Sequence, residues 1–147
     1  MFKKRKSTIA MMMAVASVFF TAHLYSQEVN AAIEISGVTV GGGSVYVAVF
    51  SNEQDYGANN RFTGFILDAA GTTISRELNL PAGEYLVSVF QDTNNNEKLD
   101  TGLFGIPREP FGFTNYSRGI PGNFQKLKVP VNASQTTITV NIGRYRW

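Results

Sequence analysis

Between Asp92 and Asp100 the chain reads DTNNNEKLD, with an oxygen-bearing side chain at every second position, Asp92, Asn94 and Asn96, and a further carboxylate at Asp100. Alternate residues of a tight loop can converge on one centre, and a hard cation such as calcium takes roughly six to eight oxygen ligands. With Asp92 as the first position, the odd positions supply Asp92, Asn94, Asn96, the backbone carbonyl of Lys98, and Asp100, while Leu99 offers an apolar anchor. Two positions depart from the calcium-loop pattern. Glu97 stands sixth, where the sharp turn favours Gly, and Leu103 stands twelfth, where a bidentate Glu would close the shell. Glu109 is the candidate for a distant ligand that completes the set. The expectation is a weak Ca2+ site, with Kd of roughly 10⁻⁴ to 10⁻³ M. The competing reading is an Asn-rich turn whose side-chain amides bond local backbone and hold no ion.

Other chemistry is restricted by inventory. The single histidine is His23, near the N-terminus, and there is no cysteine. Downstream of His23 the chain therefore has no imidazole or thiol for a Ser-His-Asp triad, a Cys nucleophile or a His/Cys zinc site. A carboxylate pair acting on glycosides is the one catalytic alternative, and Asp92, Asp100 and Glu109 are the only acids near the loop apart from Glu97. The chain is expected not to be an enzyme. Beyond the loop, FGFTNYSRG (Phe111 to Gly119) mixes aromatic and polar groups, so Phe111, Phe113, Asn115, Tyr116 and Arg118 are candidates for a surface that grips a protein, peptide or carbohydrate. The alternative is that these rings plug one end of the domain.

The N-terminus reads as a secretory signal peptide: basic MFKKRKS, apolar TIAMMMAVASVFF, then small and polar residues, with cleavage after Ser26 or after Ala31. The domain boundaries expected are 1–31 for the leader and 32–147 for one domain, secreted or periplasmic, with no membrane span in the mature chain. Cleavage after Ser26 removes Lys3, Lys4, Arg5 and Lys6, so nine Lys and Arg face eleven Asp and Glu and the net charge turns from +2 to −2. No basic cluster remains to track a phosphate backbone, and nucleic acid is not an expected partner. The missing disulfides leave a bound ion as one means of holding long loops.

The elements that must position the loop are strands. AIEISGVTV alternates and changes phase at Gly37; SVYVAVF and GEYLVSVF carry apolar residues on both parities, as strands covered on two sides would; TTISRELNL aligns Ile74, Leu78 and Leu80. RFTGFILDAAG is a weaker strand because Gly64 interrupts it, and FQKLKVPVNA and TTITVNIGRY alternate near the C-terminus. LPAGEY resembles a tyrosine corner at which the chain changes sheets, with the Tyr85 hydroxyl bonding nearby backbone. The fold class expected is all-β: a single antiparallel β-sandwich of about seven strands, immunoglobulin-like or transthyretin-like, with one long loop between the fifth and sixth. A small outer-membrane barrel, hinted at by Trp147, competes poorly because Lys126 and Lys128 would face lipid. The terminal ASQTTITVNIGRYRW could instead be donated to a neighbour's sheet, which would make the protein a self-associating envelope or filament subunit.

DTNNNEKLD followed by GIPREPFGFTNYSRG, with LPAGEYLVSVFQD upstream, resembles the signature of a family of small exported bacterial proteins of unknown function. Its pattern is D-x-N-x-N-G-x-x-D, then G-I-P-x-E, then G-F-S/T-N, and this chain has Glu97 at the Gly position. The resemblance spans nearly all of the mature chain and implies a secreted or periplasmic β domain, without implying an activity.

Overall fold

The computed structural model describes residues 27–144. Most of the expected leader and the C-terminal Trp147 lie outside them. Eight strands and two short helices follow in chain order: β1 (Glu28–Ser36), β2 (Ser44–Phe50), α1 (Glu53–Gly57), β3 (Thr63–Leu67), β4 (Thr73–Pro81), β5 (Gly83–Asp92), β6 (Phe111–Phe113), α2 (Phe124–Leu127), β7 (Val129–Val131) and β8 (Thr137–Asn141). They form an all-β sandwich of two sheets, β4-β1-β8 facing β3-β2-β5-β6, with β7 continuing beside β5 below β6.

The period-two patterning decides which side chains enter the sandwich. Ile33 and Ile35 of β1, Val45, Val47 and Val49 of β2, Val87 and Val89 of β5, and Ile138 and Val140 of β8 are all buried in one cluster. Gly37 ends β1 at φ 81°, and beyond it Val38 re-enters the core, so the change of phase is a bend. At Pro81 the chain leaves one sheet and at Gly83 it enters the other; the Tyr85 hydroxyl donates to the Pro81 carbonyl at 2.7 Å, and burial raises its phenol pKa above the ordinary value. The tyrosine corner is therefore present.

One pairing departs from the antiparallel expectation: β8 runs parallel to β1, from Ala32↔Thr137 to Ser36↔Asn141. The cause is the chain's route. β7 descends antiparallel to β5, the Asn132–Gln135 turn reverses it, and β8 then rises in the direction of β1. Past β8, Gly143 and Phe111 exchange both backbone hydrogen bonds (2.9 and 3.1 Å), which closes the sandwich seam between β8 and β6. Within this chain Thr137–Asn141 forms the edge strand of the smaller sheet. Alternation also misplaced Phe124–Leu127, which is a helical turn capped by the Asn123 side chain; Phe124 and Leu127, three apart, share its buried face.

α1 and α2 cover only part of the outer face of the larger sheet. Phe50, Leu86, Phe124 and Leu127 form a second small core there, against Tyr56, Phe113 and Tyr116. The remainder of that face stays open.

Candidate metal loop and outer-face groove

The segment between β5 and β6 is held at its base by buried carboxylates. Asp92, 1% exposed, accepts from the Asn96 N–H on Oδ1 (3.2 Å) and from the Glu97 N–H on Oδ2 (2.7 Å). Glu109, 3% exposed, accepts from the Thr93 N–H (2.7 Å) and hydroxyl (3.2 Å) on Oε1, and from the Asp100 N–H on Oε2 (3.1 Å). Its carboxylate therefore clasps the two ends of the loop together. Close packing fixes where the loop springs from: a Cβ on Gly43 (φ 97°) would lie 1.8 Å from the Asp92 carbonyl oxygen, so only Gly lets β2 start there.

Above the clasp, the amide Nδ2 groups of Asn94 and Asn96 both donate to Asp100, at 2.6 Å to Oδ2 and 3.0 Å to Oδ1. Their amide oxygens accept from backbone, Asn94 from the Asn96 N–H (3.2 Å) and Asn96 from the Lys98 N–H (3.0 Å). Two partly positive NH2 groups thus stand beside Asp100 where a cation would stand, and rotation of each amide would exchange the donors for oxygens. Among the described residues no three His, Cys, Asp or Glu side chains are grouped to hold a metal, so any ion would rely on carboxamide and carbonyl oxygens besides carboxylates. Asp92, Asn94, Asn96 and Asp100 come together with the Lys98 backbone in one hydrogen-bonded loop, while Glu109 supports it from below. Glu97, sixth in the loop, adopts φ 62°, the left-handed conformation for which the pattern uses Gly, and Asn95 joins it at φ 58°.

In the aromatic segment expected as a ligand surface, the rings are covered and Asn115 and Arg118 are exposed. Phe111 is 4% exposed and packs on Phe113 and Tyr116 with ring centroids 6.1 and 5.7 Å apart. The Tyr116 hydroxyl donates to the Gly119 carbonyl (2.6 Å), and exposed Asn115, at φ 50°, donates from Nδ2 to the Lys128 carbonyl (2.8 Å). Arg118 is exposed. The rings pack on one another against the outer face of the larger sheet, with Phe113 and Tyr116 half-buried.

The open surface lies beside them and was not singled out from the sequence. Gly64, Ala48 and Ser88 are register partners across β3, β2 and β5, and they form a floor of small residues on the outer face. One step along, Ile66, Tyr46, Phe90 and Phe111 form the next row; Tyr46 and Phe90 stack at 4.9 Å with rings 8° from parallel. The Arg61 side chain lies across Gly64, where an added Cβ would come within 3.0 Å of its Cδ. Glu97, Lys98 and Leu99 of the Asn-rich loop complete this groove of about 840 Å³. A second cavity of about 280 Å³ shares Ser88, Phe90 and Leu99 with it and continues to Phe104, Ile106 and Ile120. Desolvation raises the Tyr46 phenol pKa above its ordinary value, and the Glu97 and Asp92 charges add to the rise. The available signal was apolar residues on both parities of β2 and β5; it reads as two covered faces, and one is half covered.

No curated protein and no solved structure matches the chain. A family model does, over residues 33–139, from Ile33 in β1 to Thr139 in β8, which takes in both sheets, the Asn-rich loop and the groove floor. With well over half of its length matched, the chain belongs to the bacterial family described as "Uncharacterized protein conserved in bacteria (DUF2141)".

Proposed function

We propose that this protein is an exported, non-catalytic binding domain whose ligand lies in the groove on the outer face of the larger sheet, beside a loop that calcium orders. The observation that carries this reading is the groove: a floor of Gly64, Ala48 and Ser88, apolar walls, and Arg61 and Lys98 at its margins. A sheet face with rings beside small residues suits an extended peptide or carbohydrate chain, which contacts walls and floor along its length. In this reading calcium sits between Asp92, Asn94, Asn96, Asp100 and the Lys98 carbonyl. It displaces the two amide NH2 groups from Asp100 and stiffens the segment that carries Glu97, Lys98 and Leu99 into the groove wall.

Export is supported by the leader pattern, and β1 favours one cleavage point. Release after Ala31 would remove Glu28–Ala31, including Val29 and Ala31, which are buried opposite Leu80 and Leu78, whereas release after Ser26 keeps the strand whole. N-terminal sequencing of exported protein distinguishes the two.

The test is a calcium titration by calorimetry on protein beginning at Gln27, with thermal melts in calcium and in chelator. We expect a millimolar-range Kd and a calcium-dependent rise in Tm that Asp100→Ala removes. A melt unchanged by millimolar calcium makes the loop an Asn-rich turn. Ala48→Phe, which fills the floor, then tests the groove separately against peptide and oligosaccharide arrays: retention of all wild-type binding overturns the groove reading.

A further inference from the structure

Among the described residues, the large apolar side chains that stand most fully in solvent are Phe104 (96% exposed), Ile120 (90%) and Leu103 (81%), and the next, Val40, reaches only 56%. They occupy two loops that meet: Phe104 and Ile120 line the same cavity beside β6, and Leu103 adjoins Phe104 in one tight turn. Scattered single apolar residues are ordinary on a surface, but three at near-complete exposure in one patch mark an interaction site.

The backbone points the same way. Phe104 sits at φ 61°, ψ 20°, a conformation that is uncommon for a bulky residue and that glycine adopts freely. The fold gains no burial from this ring in return for the strain. Strained residues that packing does not reward cluster at functional sites.

Charge identifies the partner. Lys98, Arg108 and Arg118 lie on the same loops, and Arg108 folds over Gly102 at the foot of the Leu103–Gly105 turn, its Nε 3.2 Å from where a Cβ on Gly102 would be. The ion pair found among the described residues is Lys128–Glu84, so none of these three cations is neutralised by one. The acids of the segment are mostly withdrawn: Asp92 and Glu109 are buried and Asp100 is capped by two amides, which leaves Glu97 as the exposed anion. Exposed apolar side chains on loops that also carry unpaired cations are the pattern that partitions into an anionic bilayer interface, where rings enter the acyl boundary and cations meet headgroups.

We infer that the Leu103–Phe104 turn and Ile120 form a membrane-docking tip that inserts into the surface of anionic phospholipid bilayers. Docking here is peripheral, and no helix among the described residues is long and apolar enough to cross a membrane. The inference stands independently of calcium and of the groove's ligand.

The experiment is cosedimentation of protein beginning at Gln27 with phosphatidylcholine vesicles, with and without phosphatidylglycerol. Wild type is expected to bind the anionic vesicles, less as salt rises. Phe104→Gly should lower partitioning by about tenfold or more while raising Tm by roughly 2 to 5 °C, because it removes the inserted ring and relieves the strained turn together. Leu103→Ser should weaken binding with Tm unchanged, and Val40→Ser, which removes an exposed apolar group elsewhere, should alter neither. Absence of wild-type binding to vesicles overturns the inference, as does unchanged binding by Phe104→Gly. A concentration-dependent dimer that Phe104→Gly abolishes, seen without vesicle binding, also overturns it and assigns the patch to a second copy of the chain.

Discussion

The two faces of β2 differ less in composition than in what covers them. Val45, Val47 and Val49 point between the sheets and are at most 2% exposed, whereas Tyr46 and Ala48, equally apolar in type, point outward and remain half-buried. The inner face meets a second sheet along its whole length. The outer face meets only α1 and α2, which cover the Phe50 and Leu86 end. A β domain of this size needs one sealed layer for stability, and an apolar face left partly uncovered beyond that layer is available for binding.

Single substitutions on the two faces test this difference. Ile33→Ala, in the sealed layer at 0% exposure, should cost about 3 to 4 kcal/mol in denaturant unfolding. Asp92→Ala should cost about 2 to 3 kcal/mol even without calcium, because it strips the carboxylate from two backbone N–H groups at the foot of the groove wall. On the open face, Tyr46→Ala deletes a larger side chain than Ile33→Ala does but should cost only about 1 kcal/mol, mainly its stacking on Phe90. A loss equal to that of Ile33→Ala would show that the outer face is as structural as the inner one.

Tyr85→Phe removes the hydroxyl bond to Pro81 and should cost about 1 kcal/mol near neutrality. Its pH dependence has a definite sign. The folded phenol pKa is raised by burial, so the native state holds the proton that the unfolded chain releases above pH 10.0; wild-type stability is intact below that pH and falls as pH rises toward the folded pKa. The Phe variant should lack this contribution to alkaline destabilisation in melts recorded across that range. The smallest effect expected is a gain: Glu97→Gly should stabilise by about 0.5 to 1 kcal/mol, because φ 62° suits Gly, and should sharpen calcium binding if the loop holds an ion.

Sequence periodicity was sufficient for β4 and β8, the edge strands of the smaller sheet, and for the second half of β1, and the Leu80-to-Tyr85 spacing was sufficient for the corner. It failed at Phe124–Leu127, where the alternation of Leu127, Val129 and Val131 was extended back although Phe124, three residues before Leu127, is out of phase with a strand and in phase with a helical turn that Asn123 caps. The loop ligand candidates were readable because oxygen-bearing types at fixed spacing constrain each other locally. The groove was not, since Gly64, Ala48 and Ser88 lie far apart in the chain and become neighbours only through strand register.

An all-β domain, an Asn-rich loop with carboxylates at its ends, and the lack of histidine and cysteine after His23 are legible in the chain itself, because each depends on residue type and short spacing. The long-range pairings settle that Glu109 clasps the loop, that Phe111 is buried beneath Phe113 and Tyr116 while Phe104 stands in solvent, and that β8 runs parallel to β1. Those outcomes depend on which distant strands pair and how much of each face the short helices can cover, and neither is encoded in any one stretch of chain.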